Sequence, residues 1–145
     1  MDNPALFAAD AIFQRQAATG ATASTIAASV VSTWRQVEQA LTPVLGVRGV
    51  AALFRRAVFL SKDRFPWLDE VFLALDGRED LGAVDVFGVV LGQQRADNAA
   101  AGGDAFFHTF HALLISMIGS SLTDRLLQSA LANFSSGPSA QDISP

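Results

Sequence analysis

The chain contains no cysteine. That one absence excludes disulfide scaffolds, thiol nucleophiles and cysteine-ligated metal centres together. Charge is scarce as well: 17% of the 145 residues are Asp, Glu, Lys or Arg, against about 25% in an average domain. Histidine occurs only twice, as His108 and His111, so a metal site would need carboxylates to complete it. No Glu-x-x-His pair is present to build a bundle metal centre. Met1-Asp2-Asn3-Pro4 lacks the basic run that opens a secretory leader, and a cytoplasmic protein is the expectation.

Long hydrophobic runs are missing too. Gln16–Trp34 and Ala105–Thr123 each extend about nineteen residues without a charge, close to spanning length. The first is mostly Ala, Ser and Thr, and the second holds both histidines. Neither has the Lys/Arg flanks that orient a spanning helix. Both read as buried helices.

What the sequence does have is apolar residues in helical register. They make up half of the chain, more than a lone monomer of this size needs to bury, so a homodimer is expected. Asp2-Asn3-Pro4 predicts a helix start, with a first helix from Pro4 to Thr19 closed by Gly20. Ile26, Val30, Trp34, Val37 and Leu41 fall within an arc of about 80° and define a second helix. Thr42-Pro43 is expected to close it. Val50, Phe54 and Val58 form the stripe of a third helix, broadened by Leu53 and Leu60 and stopped by Pro66. A short helix over Trp67–Leu75 and a turn at Asp76-Gly77 follow. A further helix, from Glu79 to Arg95, carries Leu81, Val84, Phe87, Val90 and Leu91. Ala96–Asp104, rich in Ala and Gly, reads as a frayed end or a loop. The histidine helix is expected from Asp104 to Ile118. Gly119 interrupts it, and Ser121-x-x-Asp124 has cap spacing for a last helix ending near Phe134. There is no internal repeat, no heptad run and no strand-like alternation.

On a helical wheel centred on Phe110, Phe106, Phe107, Leu113, Leu114, Met117 and Ile118 share the core arc, His111 lies at its edge and His108 lies nearly opposite. Three chemistries compete with a structural role for this pair. A metal pair lacks partners. In small phosphotransfer bundles the histidine sits in a motif resembling His-x-Leu-Lys-Gly. His111-Ala112-Leu113-Leu114-Ile115 keeps the histidine and the apolar second position, but Leu114 and Ile115 replace the lysine and glycine. A haem site needs a flat apolar pocket, which thirteen aromatics could line. Structural, partly buried histidines are the reading preferred over all three.

Basic residues are unevenly spread. Arg48, Arg55, Arg56, Lys62 and Arg64 lie between Thr42 and Phe65, a net +4 with Asp63, whereas Pro66–Asp104 holds eight acids and two arginines, a net −6. Arg48, Arg55 and Lys62 recur every seven residues and share a helix face. Arg48, Arg55, Arg56 and Lys62 are therefore candidates to bind a partner or a phosphate, although pairing with the acidic segment is the preferred reading. The overall charge of −4 argues against nucleic acid. Gly46-Val47-Arg48-Gly49 has no following Lys-Ser/Thr and is not a phosphate loop. Gly88-x-x-x-Gly92 marks a close helix approach, in the core or at a dimer seam. No nucleophile elbow or paired carboxylate motif is present.

These observations lead to an all-α, single-domain bundle of about six helices over residues 1–134, with a polar tail over 135–145 that is expected to be disordered. No cofactor is implied. The expected role is a non-enzymatic regulatory or adaptor module of bacterial-type signalling, acting on a protein partner and neither on nucleic acid nor in a membrane. The alternatives are a phosphotransfer-like domain using His108 or His111, and a sensor with an apolar pocket.

Overall fold

Thr22 starts the longest helix by accepting the backbone N–H of Thr25 on its hydroxyl at 3.1 Å, satisfying one of the four donors that every helix start leaves open. This element is the spine of an all-α bundle. The computed structural model describes residues 12–75 and 83–130. Within them run α1 (Ile12–Ala18), α2 (Ala23–Ser61), α3 (Asp69–Leu75), α4 (Ala83–Gly92) and α5 (Ala96–Ile118), then α6 over residues 120–130. A 3-10 turn, Pro66–Leu68, leads into α3. The predicted start at Pro4, the Asp76-Gly77 turn, Leu81 and the tail lie outside the described residues.

The second and third predicted helices form one kinked element. α2 continues through Pro43 and breaks at Gly46, where φ is 80° and ψ 161°. Proline removes one helical donor. Here it stands only three residues before the break, and the Thr42 hydroxyl donates to the Glu38 carbonyl at 2.7 Å. The break falls at Gly46 because positive φ costs glycine nothing and any other residue there strain. Ile26, Val30, Trp34, Val37 and Leu41 of the first limb are all buried, as are Val50, Phe54 and Val58 of the second.

α5 starts eight residues earlier than expected, at Ala96. The Ala/Gly composition that reads as a loop is a contact surface. A Cβ on Gly102 would stand 2.6 Å from the Trp67 indole, and one on Gly103 would stand 2.8 Å from Val30. The helix keeps its glycines because two neighbours press against its backbone. At its other end Gly119 takes φ 87°, and its carbonyl accepts from Thr123 N at 3.1 Å. α6 therefore begins from Gly119, two residues before the predicted Ser121 cap.

α2 packs mainly against α5 and α4, and α1 lies along α5. Where they meet, Trp34 stands 5.0 Å from both Phe54 and Phe110 and 5.8 Å from Phe106, by ring centroids. Phe106 in turn lies 4.9 Å from Phe87 and 5.0 Å from Phe107. Most of these pairs are tilted or edge-on, the arrangement that aromatic quadrupoles favour. No helix among the described residues is long and apolar enough to cross a membrane.

Candidate functional site

The histidine helix places its two histidines differently. His111 is buried and His108 is exposed. Burial among apolar neighbours pushes the His111 imidazole below its usual pKa, Asp124 on α6 opposes this, and His108 adds to it. A phosphoacceptor must meet solvent; His111 is only 7% exposed, whereas His108 faces solvent. Among the described residues no cluster of three His, Asp or Glu side chains could hold a metal. Met117, on the predicted core arc, is exposed in the last turn of α5.

A sensor would need an enclosed pocket lined by Phe and Trp. The aromatic rings instead fill one another's space. An open groove of about 720 Å³ lies between the first limb of α2 and α4, lined by small and polar residues such as Ala28, Ser32 and Gly92, with Val31 and Val89. Arg35 and Asp85 close one part of it with an ion pair of 2.8 Å. Gly88 lines the same groove where α4 comes close to α2: a Cβ there would meet Val31 of the same chain at 2.8 Å. The Gly88-x-x-x-Gly92 pattern thus brings α4 onto α2 within one chain.

The second limb of α2 and α3 build a different surface. Arg55, Arg56, Phe59 and Lys62 project together because three- and four-residue steps return to one side of a helix. α3 comes alongside and sets Phe72 against Phe59, with centroids 5.2 Å apart. Each ring carries cations. The Arg55 guanidinium carbon lies 5.3 Å from the Phe72 centroid, and around Phe59 the Arg56 carbon lies at 5.7 Å and the Lys62 nitrogen at 5.0 Å. All fall within the range of a cation–π contact, worth about 0.5–1 kcal/mol each at an exposed site. Phe59 is 39% exposed, and Leu73, next to Phe72, is 62% exposed.

Three of the four predicted basic residues, Arg55, Arg56 and Lys62, thus meet at one place. Arg48 is exposed on the same limb, about 10 Å along the axis from Arg55. The basic helix and the acidic segment are joined by the ion pair of Lys62 with Asp69 at 3.8 Å. Other described acids turn elsewhere: Asp85 to Arg35, Asp97 to Arg95 at 3.4 Å, and Asp104 to the backbone of α1. Sequence reasoning passed over Phe59 and Phe72. The signal for Phe59 was available, since it lies about 140° from Phe54, off the core stripe and among cations. Phe72 carried no such signal, because its meeting with Phe59 depends on how α3 folds back. Compared with known protein families, curated proteins and solved structures, the chain matches none.

Proposed function

We propose that this protein is a non-enzymatic interaction module of the cytoplasm, an adaptor or regulator that docks a protein partner on the face formed by the second limb of α2 and by α3. The observation that carries this reading is the Phe59–Phe72 pair, held at the surface beneath Arg55, Arg56 and Lys62. Aromatic rings and arginine are the residue types enriched in interface cores. Phe72 packs partly against the core, but Phe59 stays 39% exposed and does not turn inward as Phe54 and Phe87 do. The burial of His111 weighs against that histidine as a phosphoacceptor, which leaves the exposed His108 for the phosphotransfer alternative, and the mutual packing of the aromatics weighs against a sensor pocket.

Site-specific photo-crosslinking in the native cell tests the reading. A benzophenone side chain at Leu73 is expected to yield a discrete adduct, whereas the same group at the exposed Met117 on α5 yields none. No adduct at Leu73, or the same smear at both positions, would remove the support for docking at this face. An adduct between two copies of the chain would make the partner a second protomer, the homodimer expected from the apolar excess.

A further inference from the structure

We propose that the partner element accepted by the Phe59–Phe72 face is an acidic amphipathic helix, one that places Asp and Glu along one edge and Leu or Phe along the other. This inference rests on the docking face proposed above and adds the chemistry of its occupant.

The charge distribution carries the argument. The segment from Thr42 to Phe65 is +4 in a chain whose total is −4, so positive charge is concentrated on the limb that holds the exposed Phe59 ring. Arg48 and Arg56 are exposed there, and among the described residues neither is joined to an acid. A cation over an exposed ring is held weakly and stays hydrated on its outer side. A carboxylate can recruit such a cation without a large desolvation cost, and the uncovered edge of the ring then meets an apolar side chain. Three cations and one ring, Arg48, Arg55, Phe59 and Lys62, follow one another at helical spacing on one side of the limb. A partner helix of matching period satisfies both kinds of group at once.

The same face suits a continuous anionic surface poorly. Asp63 and Glu70 are exposed beside it, and Asp69 sits within it against Lys62. A bilayer of acidic lipid or a nucleic-acid backbone would press negative charge onto these acids. A discrete helix can place its carboxylates between them.

The test uses the full chain and a fluorescent helical peptide of roughly 18 residues, about five turns, with Glu on one face and Leu and Phe on the other. Its controls are a charge-reversed Lys version, a scrambled version of the same composition, and vesicles of anionic lipid. The expected result is saturable binding of the acidic amphipathic peptide alone, weakening as salt rises from about 50 mM to about 300 mM. Arg56→Glu and Arg48→Glu, which touch no core residue, should each weaken it roughly three- to tenfold. Leu73→Ser should weaken it without changing the salt dependence. Equal binding of the scrambled or Lys peptide, tighter binding to the vesicles, or no peptide binding would overturn the inference. If the adduct at Leu73 forms while the acidic peptide fails to bind, the docking face stands and only the chemistry assigned to its occupant is wrong. Loss of both removes the face as well.

Discussion

The carboxylate of Asp104, in the body of α5, accepts the backbone N–H of Phe13 at 3.0 Å across 91 residues of sequence. Its second oxygen takes Gln14 N–H, also at 3.0 Å. A long-range side chain thus does for α1 what a neighbouring Ser or Asp does for most helices, and it fixes α1 against α5 so that Phe13 reaches Phe107 at 5.8 Å.

Removing that carboxylate should loosen α1. Asp104→Ala leaves two backbone donors without their acceptor and is expected to cost about 1–2 kcal/mol. Asp104→Asn keeps one acceptor and should cost less. Burial raises the Asp104 pKa above 3.8 despite the two N–H donors and Arg15. The stability tied to its protonated form is therefore complete below 3.8 and is lost as pH rises through the folded-state value. Urea midpoints of wild type and Asp104→Asn across that range should show wild type losing ground to the variant as pH increases.

The His111 imidazole gives the opposite dependence. Its pKa is lowered from 6.5 by burial, so its contribution is complete above 6.5 and is lost as pH falls through the lower folded-state value. Asp124 opposes the shift and His108 adds to it. His111→Phe should flatten the fall in melting temperature just below pH 6.5, whereas His108→Ala, which removes only the smallest of the three influences on His111, should reduce it slightly. A variant with the unaltered slope would assign that acid sensitivity elsewhere.

Glycine substitutions separate contact from propensity. At Gly102 an alanine Cβ would meet the Trp67 ring at 2.6 and 2.7 Å. The overpacking, typically 1–3 kcal/mol, should exceed the gain of about 1 kcal/mol in helix propensity. At Gly92 the nearest atom is Ala27 Cβ at 3.9 Å, an ordinary contact, so Gly92→Ala should be neutral or raise stability by a few tenths of a kcal/mol. Thermal melts of the two variants should move in different directions.

Core and surface aromatics should differ sharply as well. Phe106 touches Trp34, Phe54, Phe87, Phe107 and Phe110, and Phe106→Ala should cost about 3–5 kcal/mol. Leu73→Ser, at a side chain 62% exposed, should stay within about 0.5 kcal/mol of wild type. Chemical denaturation resolves the two. A large loss for Leu73→Ser would mean that the α3 face serves folding and not docking.

The sequence by itself determined the helices and their inward faces. The stripes Ile26, Val30, Trp34, Val37, Leu41 and Val50, Phe54, Val58 are buried as their spacing requires, because period 3.6 is a property of the local chain and hydrophobic burial follows it. The contrast between His111 and His108 was legible for the same reason. Tertiary structure decided whatever depends on two distant segments meeting. Gly102 and Gly103 look like helix breakers until Trp67 and Val30 press on them, since local propensity is weak beside close packing. Pro43 was passed over and Gly46 taken as the bend, a choice between two nearby breakers that only the packing of both limbs could make. The capping of α1 by Asp104 and the pairing of Phe59 with Phe72 belong to the same class: each joins groups from two helices, and no periodicity along one chain segment records which helices become neighbours.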